Sequence, residues 1–353
     1  MKVELSEGNE ASAISISTPL TKVLLSLIEA TYVEMERIRV PNPAPELKPE
    51  EVGDFLSFIL AFPPDVKTPI VEVDSGVTLL SSPQRLPVTD TIVLFSGGTD
   101  SSAAMLDLLE RGEHFRALWC DYGQEYHEAE GQAVRRICKK LSIPLLEARI
   151  DLGEMIKAGR SRFSHIVPAR NLLISAIAAS QRPRAIVLSG LGDELMVPDK
   201  SPRMYGEAEK YLGYPIYSPF TKMNKTEIMC VWRKRWLGQL QIDETVSCFS
   251  TSGNCQNCSA CAKREVSRIA SGYSTKFPLV FAQQHHLIEH HWFPRLEIFP
   301  AIRRAEILIA LSPFVSQLAT PLDELVASSC QRFERDVAYF RDHFEKLSCL
   351  VDY

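Results

Sequence analysis

Residues 95–102, which read Phe-Ser-Gly-Gly-Thr-Asp-Ser-Ser, constrain the fold of this chain more than any other part of the sequence. They lie between an apolar run at 92–95 and a helix-favouring run at 103–109. Two adjacent glycines let the backbone turn sharply beside a polyanion, and the unsatisfied N–H groups of the following helix point at that anion. The pattern predicts a strand, a phosphate-binding loop and a helix. The predicted nucleotide-binding residues of this loop are Ser96, Gly97, Gly98, Thr99, Asp100, Ser101 and Ser102.

Two better-known phosphate loops do not fit this stretch. A Walker A loop has Gly-Lys-Ser/Thr after its glycines, and a dinucleotide fingerprint has a third glycine, and neither feature is present here. An ordinary tight turn between a strand and a helix is the remaining alternative, which the flanking runs disfavour. Asp100 has two candidate roles, as a cap of the helix and as a residue that helps to hold Mg²⁺.

From Thr91 onward, predicted strands alternate with predicted helices, which is typical of a parallel sheet covered on both faces. Further strands are predicted at residues 117–120, 145–150 and 185–188, and helices at residues 128–141 and 171–180. In open parallel sheets, ligands bind at the carboxyl ends of the strands. We therefore predict an α/β, Rossmann-like domain whose active site lies where the loops after these strands gather.

The region before this domain has a different pattern. A helical period of apolar residues runs from Thr18-Pro19 to Ile38, and a second runs from residue 50 to 62 after a proline-rich linker. Alternating apolar residues at 71–73 and 77–79 flank Asp74-Ser75-Gly76, which predicts a short hairpin. Residues 1–88 are therefore predicted to be a mostly helical N-terminal extension.

The region after the domain reads as helices from residue 302 to 347, with breaks at Pro313 and Pro321. The predicted organisation is thus an N-terminal extension at 1–88, a phosphate-loop domain with a metal module at 89–272 and a helical C-terminal extension at 273–353.

Four cysteines near the end of the phosphate-loop domain form the second strong pattern. Cys248, Cys255, Cys258 and Cys261 are separated by six, two and two residues. Four thiolates complete a tetrahedral zinc site that is structural, because no position stays open for catalysis. The nine cysteines of the chain, an odd number, also favour reduced thiols over a disulfide framework. We predict one structural Zn²⁺; four unrelated buried thiols are the alternative.

A weaker candidate metal site is formed by His285, His286, His290 and His291. His286 and His290 would share a face if this stretch is helical, which suits a pair of metal ligands. Histidines at or near the surface are the favoured interpretation, because no third ligand is evident.

Taken together, these segments resemble the QueC family of PP-loop ATP pyrophosphatases, the 7-cyano-7-deazaguanine synthases of the queuosine pathway. The resemblance covers roughly residues 91–264, about half of the chain. Residues 93–102 resemble the family's phosphate loop, and residues 167–171 (Val-Pro-Ala-Arg-Asn) resemble its Val-Pro-Gly-Arg-Asn segment. Residues 224–227 (Asn-Lys-Thr-Glu) are similar to its Asn-Lys-x-Glu segment, and the cysteine array before Lys263-Arg264 is similar to its zinc module.

Three segments depart from the family pattern. Ala169 stands where the family has glycine, and residues 122–127 keep a Gln and a His but insert one residue between them. The family's Asp-x4-Pro-Asp-Cys-Arg appears with Lys200-Ser201 in place of Cys-Arg, and Arg203 is a candidate replacement for the arginine. The resemblance implies a deazaguanine site, because the N1–H and amino group of that ring suit a carboxylate acceptor. Its implied substrate-binding residues are Gln124, His127, Asp193 and Asp199.

The resemblance also implies the chemistry. An ATP-dependent ligase of this family would adenylate the carboxylate of 7-carboxy-7-deazaguanine, release pyrophosphate and pass the acyl group to an amine, with ATP, Mg²⁺ and structural Zn²⁺ as cofactors. Arg170 and Lys225 are predicted to neutralise charge that develops on the phosphates or the acyl oxygen. Surface ion pairs are the alternative for both. The predicted catalytic residues are Asp100, Arg170 and Lys225, and Asn171 and Gly190 are predicted to contact ATP.

The two extensions have no counterpart in the biosynthetic enzyme. With them, the chain resembles the extended branch of the family found in antiphage operons, including type IV CBASS and Qat systems. That resemblance implies that the amine belongs to a partner protein of the same operon. The alternative is an ordinary 7-cyano-7-deazaguanine synthase that uses ammonia. The sequence leaves the oligomeric state open, a homo-oligomer included.

Three further functions compete with this reading. A PP-loop tRNA thiolase would need a reactive cysteine pair and a basic RNA-binding face, whereas the clustered cysteines suit zinc. A PP-loop amidotransferase would need a glutaminase half, for which we find no candidate. A non-catalytic scaffold would bind ATP without turnover, and pyrophosphate release separates it from an enzyme.

Charge and hydropathy limit the partners and the location. The formal net charge of −5 gives no general attraction to nucleic acid, so no RNA or DNA partner is expected. The sequence lacks an apolar run of the roughly 20 residues that a membrane span needs, and its N-terminus lacks the pattern of a signal peptide. We therefore expect a cytoplasmic protein without a membrane partner.

Overall fold

A computed structural model describes residues 3–7, 10–16, 19–33, 35–43, 47–61, 69–74, 90–150, 152–153, 156–157, 167–192, 197–251, 253–273 and 278–349. Its strands are β1 (Val3–Glu7), β2 (Glu10–Ile16), β3 (Arg37–Pro41), β4 (Ile70–Asp74), β5 (Thr91–Leu94), β6 (Phe115–Asp121), β7 (Leu145–Ile150), β8 (Ile186–Val187) and β9 (Ile216–Tyr217). Its helices are α1 (Pro19–Tyr32), α2 (Pro49–Leu60), α3 (Thr99–Glu110), α4 (His127–Leu141), α5 (Arg170–Ser180), α6 (Pro202–Leu212), α7 (Lys225–Arg235), α8 (Ser259–Ala270), α9 (Leu279–Gln283), α10 (His285–Leu287), α11 (Ala301–Leu311), α12 (Leu322–Arg332) and α13 (Glu334–Cys349).

The central sheet has the order β2-β1-β7-β6-β5-β8-β9. Its five strands from β7 to β9 run parallel, which confirms the parallel sheet that the sequence predicts. β5 is buried at every position, as a strand covered on both faces must be. Its alternate residues face two different cores: Ile92 and Leu94 pack with α1, α2 and α5, whereas Val93 packs with α3, α4 and α7. The α/β class is therefore confirmed.

The N-terminal extension differs from its mostly helical prediction in two places. Its first residues form the hairpin β1–β2, and β1 pairs antiparallel with β7 at the edge of the parallel sheet. The predicted first helix ends at Tyr32, so its extension to Ile38 is wrong. Ile38 lies in β3, which pairs in parallel with β4. A run of alternating arginine and β-branched residues suits a strand, and the partner strand that stabilises it is distant in sequence.

The predicted hairpin around residue 75 is described only in part. Val71 and Val73 lie in β4, as expected for its first arm. Residues 75–89, which would contain the turn and the second arm, fall outside the described residues.

The two extensions pack against different sides of the domain. In the N-terminal extension, the Phe55 ring of α2 stacks on Tyr211 of α6 with centroids 4.9 Å apart. In the C-terminal extension, α11 packs against α8 and α13, and α13 packs against α7. The C-terminal helices share one hydrophobic core with Cys248 and Cys261. The C-terminal extension therefore supports the segment that carries the cysteine cluster.

The C-terminal helices follow the predicted pattern of breaks. A 3₁₀ segment at Ser312–Gln317 separates α11 from α12, and α12 begins directly after Pro321. Within the described residues, we find no helix with both the length and the apolar character needed to cross a bilayer.

Candidate active site

A cavity of about 310 Å³ lies at the carboxyl ends of the parallel strands, at the edge where the sequence predicts the active site. Its walls come from the segments that follow β5, β6 and β8, together with the first residues of α5 and α7. Residues 246–249 and the beginning of α8 close the remaining side. The volume falls at the lower end of the range for small-molecule sites, about 300–1,000 Å³.

The phosphate loop forms one wall of this cavity. Ser96, Gly98, Asp100 and Ser101 line it. The Ser101 hydroxyl accepts from the Ser96 N–H (3.3 Å) and donates to the Gly98 carbonyl (3.2 Å), which holds the turn closed. α3 begins with Gly98 as its N-cap, and no side chain caps it. The start of α3 thus lacks a side-chain cap, which is compatible with the predicted role of its first-turn N–H groups in binding an anion.

The other predicted residues of this loop do not line the cavity. Thr99 and Ser102 are completely buried, and the Thr99 hydroxyl hydrogen-bonds that of Thr245 (3.2 Å). Gly97 has φ of +71°, a left-handed conformation that glycine adopts at no steric cost. Its carbonyl accepts from the Val246 N–H (2.8 Å). These residues shape and anchor the loop.

The predicted catalytic residues Asp100 and Lys225 form an ion pair, with Lys225 Nζ 3.0 Å from Asp100 Oδ2. Lys225 is the first residue of α7, whose start is fixed by a capping box. In that box, Glu227 N–H donates to the Asn224 side chain (2.9 Å) and Asn224 N–H donates to the Glu227 carboxylate (2.8 Å). The capping box therefore holds a lysine ammonium beside the phosphate loop.

Arg170 and Asn171 line the cavity from the start of α5. The Asn171 amide donates to the Asp199 carbonyl (2.9 Å), and Arg170 hydrogen-bonds the Tyr126 hydroxyl. Gly190 also lines the cavity, and a Cβ at that position would clash with the Tyr205 hydroxyl. A side chain at Gly190 would therefore displace Tyr205.

Ala169, the N-cap of α5, has φ of +53°, in the left-handed region. This conformation explains why the resemblance places glycine at this position, since a Cβ there costs about 1–2 kcal/mol. We expect Ala169→Gly to raise the free energy of unfolding by about 0.5–1 kcal/mol, measured by urea unfolding. Ala176→Gly in the middle of α5 is the matched control and should lower it by about 1 kcal/mol. Equal destabilisation by both changes would contradict the strain at Ala169.

Basic side chains dominate the charge of the cavity. Among the described residues, four basic and two acidic side chains line it: Arg170, Lys200, Lys225, Lys263, Asp100 and Glu130. An excess of positive charge in a concave site raises the local concentration of an anionic ligand. The lining therefore suits a polyphosphate, with the basic residues drawn from four separate segments of the chain.

A second part of the cavity lining is aromatic and contains Glu130. Trp119, Tyr122, Tyr126 and Phe249 line this part, and the Tyr126 and Phe249 rings lie 5.8 Å apart. Burial raises the pKa of Glu130 to about 7, while Arg170 and the Gln124 amide act in the opposite direction. Glu130 is not among the site residues predicted from the sequence. The signal that could have indicated it is its position on the first turn of α4, which follows a predicted site loop.

The structure describes three of the four residues that the resemblance implies for substrate binding. Gln124 is buried and hydrogen-bonds Glu130 (3.1 Å), and His127 Nδ1 lies 2.5 Å from the Gln124 carbonyl. Gln124, His127 and Asp199 are not among the described residues that line the cavity. Asp193 falls outside the described residues. Arg203 places its guanidinium over the Phe58 ring of α2, 4.4 Å from the centroid, so it contacts the N-terminal extension.

The four predicted metal ligands come together. The Sγ atoms of Cys248, Cys255, Cys258 and Cys261 all lie within 4.8 Å of one another. In a tetrahedral site with Zn–S bonds of about 2.3 Å, sulfur atoms are about 3.8 Å apart, so this cluster could hold Zn²⁺ with little rearrangement. Backbone N–H groups of Cys255 and Cys261 donate to the sulfurs of Cys248 (3.2 Å) and Cys258 (3.4 Å), as suits thiolates.

The cysteine segment is hydrogen-bonded to the phosphate loop. Val246 and Thr245 contact Gly97 and Thr99, as described above. The Asn254 amide donates to the Thr245 carbonyl (2.9 Å), and the buried Arg264 binds both the Asn254 side chain and the Ile242 carbonyl. Cys248 itself lines the cavity. A metal in the cluster would therefore stabilise one wall of the candidate active site.

The histidine group has the predicted helical placement, and the His286 and His290 rings lie 4.3 Å apart on an exposed surface. In the described part of the chain, the cysteine cluster is the one group of three or more His, Cys, Asp or Glu side chains close enough to share a metal. A third ligand for these histidines is therefore missing among the described residues.

Comparisons with known proteins agree with this architecture. The family described as "Queuosine biosynthesis protein QueC" matches residues 90–270. The 7-cyano-7-deazaguanine synthase of Pseudoalteromonas translucida is 28% identical over 201 residues, which cover 49% of this chain and 90% of the relative. The synthase of Chromohalobacter salexigens is 25% identical over 238 residues, covering 59% and 92%. That of Saccharolobus solfataricus is 32% identical over 120 residues, covering 29% and 26%.

The matched region contains the parallel sheet, the phosphate loop, the cavity lysines Lys200, Lys225 and Lys263, and the cysteine cluster. Because the family match spans half of the sequence and includes these features, the chain belongs to the QueC family.

Proposed function

We propose that this chain is an ATP-dependent carbon–nitrogen ligase that activates the carboxylate of 7-carboxy-7-deazaguanine. The carboxylate oxygen attacks the α-phosphate of ATP, which forms an acyl-AMP and releases pyrophosphate. An amine then attacks the acyl carbon, forms an amide, and releases AMP and a proton. The relatives named 7-cyano-7-deazaguanine synthase support the substrate class.

One observation carries this proposal: the phosphate loop, Lys225 and Arg170 line the same cavity at the carboxyl ends of the parallel strands. Each group has a distinct task. The N–H groups at the start of α3 bind the phosphates that leave, while Lys225 compensates the charge that grows on pyrophosphate as the P–O bond breaks. Arg170, which lines the same cavity, compensates the charge on the acyl oxygen when the amine attacks.

Asp100 is the proposed residue for Mg²⁺. The Asp100 carboxylate lines the cavity together with Ser96 and Ser101. Mg²⁺ in nucleotide sites is commonly held by one or two carboxylates and by the phosphates of the substrate, so this set of groups suits it. When bound, Mg²⁺ supplies positive charge to the phosphate oxygens. Asp100 also pairs with Lys225, so the carboxylate keeps the ammonium in place before ATP binds. The cysteine cluster holds the proposed structural Zn²⁺ and takes no part in the reaction.

The amine that we propose is a side chain or terminus of a partner protein, in the manner of the antiphage branch of the family. About half of the chain lies outside the region matched by the relatives, and its folded extensions contact residues that are close in sequence to the cavity residues Lys200 and Lys225. Phe58 of the N-terminal extension packs on Arg203, close in sequence to the altered Lys200-Ser201 segment. His343 of the C-terminal extension hydrogen-bonds Glu227 in the capping box of α7 (2.7 Å). These contacts support the proposal that the two extensions add surface near the site on which a macromolecule can dock.

The two candidate acceptors give different products. A primary amide formed from ammonia keeps two N–H protons, so a second ATP can drive its dehydration to a nitrile. An amide formed from a protein amine keeps one, so a neutral nitrile cannot form and the conjugate is the end product. The ammonia route is the second candidate, and the name of the relatives, 7-cyano-7-deazaguanine synthase, favours it.

Intact-mass spectrometry separates the two candidates. We expect the co-expressed partner of the same operon to gain the mass of the deazaguanine acyl group with the wild-type chain and none with Asp100→Ala. Free 7-cyano-7-deazaguanine as the sole product, with no mass added to any co-purifying protein, would contradict the conjugation and favour the ordinary synthase.

A further inference from the structure

Two carboxylates line the cavity in the described part of the chain, Asp100 and Glu130. Asp100 belongs to the phosphate loop and is paired with Lys225 at 3.0 Å. Glu130 belongs to α4 and shares its wall with the aromatic residues Tyr122 and Tyr126. The cavity therefore has one carboxylate on the side of the phosphates and a second on an aromatic side that suits a flat ring.

Glu130 is held by a second residue that does not reach the cavity. The Gln124 amide nitrogen donates to Glu130 Oε2 (3.1 Å), and the Gln124 amide oxygen accepts from the Tyr122 N–H (2.8 Å). The two bonds together fix which way the Gln124 amide points, because its oxygen meets a donor and its nitrogen meets an acceptor. Gln124 thus orients the carboxylate and leaves it capacity for further donors, since a carboxylate offers about four acceptor positions.

The ring of a 7-deazaguanine needs such a partner. Its N1–H and its 2-amino group are adjacent donors that point in the same direction, and one carboxylate can accept from both. Paired bonds to an ionised carboxylate are stronger than bonds between neutral groups and fix the orientation of the ligand. The Tyr122, Tyr126 and Phe249 rings beside Glu130 provide apolar and aromatic surface for the two faces of the bicyclic ring.

We propose that Glu130, positioned by Gln124, accepts hydrogen bonds from N1–H and the 2-amino group of the substrate and thereby selects a 2-amino-substituted ring. This inference rests on the proposed function. It differs from the sequence prediction, which gives this role to Asp193 and Asp199. Asp199 instead presents its backbone carbonyl to Asn171.

The placement also explains how the reacting carboxylate would be oriented. With the amidine edge of the ring held at Glu130 on α4, the opposite, substituted side of the bicyclic ring extends away from that wall. The phosphate loop, which binds the leaving pyrophosphate in the proposed function, lines the same cavity. Glu130 is thus a binding residue for the ring, and Gln124 is a positioning residue.

The test compares two substrates, 7-carboxy-7-deazaguanine and the analogue without the 2-amino group, in an assay of pyrophosphate release at about pH 8. That pH keeps Glu130 ionised, since its pKa is raised to about 7 by burial. We expect the wild-type chain to prefer the amino substrate by about 10–100-fold in kcat/KM, as the loss of a hydrogen bond to a charged group predicts. Glu130→Gln should reduce this preference to a few-fold and raise KM for the amino substrate, with KM for ATP unchanged.

Glu128→Gln, an exposed glutamate on the same turn of α4, is the matched control and should keep the wild-type preference. A Glu130→Gln chain that keeps the preference would overturn the inference. Should Glu130→Gln fail to fold, Glu130→Asp shortens the same carboxylate by one methylene and is expected to lose most of the preference. If the wild-type chain releases pyrophosphate with both substrates equally, this inference fails alone. If it releases none with either substrate, the proposed function fails with it.

Discussion

Replacing Gly98 by valine should reduce pyrophosphate release by at least about 100-fold while the protein stays folded. Gly98 has φ of −79°, which any residue adopts, so the change leaves the backbone unstrained. A Cβ there would lie 3.3 Å from the Ser96 hydroxyl and 3.5 Å from the Val246 carbonyl. The two further methyl groups of valine would occupy the space beside the start of α3, where the phosphates bind in the proposed mechanism.

A matched control is available at Gly206, an exposed helical position where an added Cβ meets no atom within 4 Å. Gly206→Val should turn over at the wild-type rate. Thermal melts with and without ATP separate the two effects, because Gly98→Val should keep its melting temperature without ATP and lose the stabilisation that ATP provides. Pyrophosphate release by Gly98→Val at the wild-type rate would show that this loop does not perform the chemistry.

Removing one cysteine of the cluster should have the largest effect on stability. We expect the purified protein to contain one zinc per chain, and we expect Cys258→Ser to lose it and to melt at least about 5 °C lower. The physical reason is that three remaining thiolates leave the tetrahedral site open and partly charged in a hydrophobic core. That core includes Cys248 and Cys261 together with the C-terminal helices.

The same variant should also lose pyrophosphate release, because the cysteine segment is bonded to the phosphate loop through Val246–Gly97 and Thr245–Thr99. Cys330→Ser is the control, since Cys330 lies on α12 outside the cluster. Elemental analysis and thermal melts are the measurements. A protein without zinc, or a Cys258→Ser variant with unchanged metal content and stability, would contradict the structural role.

The parts of the fold that are predictable from sequence are those whose signals are local. The strand at 145–150 has its predicted bounds because it alternates along its own length, and β5 is recognisable as a continuous apolar run. The cysteine cluster is predictable because its four residues lie within a short segment with a characteristic spacing. The phosphate loop follows from two glycines between a strand and a helix.

The errors arise where a distant partner decides the structure. The end of α1 at Tyr32 depends on β3, and β3 exists because it pairs with β4 some thirty residues later. The hairpin β1–β2 was missed although its sequence alternates, since the edge of β7 that receives it is far along the chain. Short alternating runs without a known partner are ambiguous.

The candidate site shows the same division. Asp100 and Lys225 carry motif signals, and the structure brings them to 3.0 Å of each other. Glu130 carries no motif signal of its own here, because its significance comes from Gln124 and from the aromatic residues that surround it in space. Arg203 shows the reverse case, since a sequence argument placed it at the substrate and the structure places it on Phe58.

Adenylation of a carboxylate in this cavity can be tested by following one carboxylate oxygen into the products. The wild-type chain is incubated with ATP, the amine acceptor and 7-carboxy-7-deazaguanine labelled with ¹⁸O in its carboxylate, and the nucleotide product is analysed by mass spectrometry. The acyl-AMP contains one carboxylate oxygen as the bridge to phosphorus, and attack of the amine at the acyl carbon leaves that oxygen on AMP. We expect AMP that carries one ¹⁸O together with substrate-dependent pyrophosphate. Unlabelled AMP, or ADP and phosphate as the products, would contradict it.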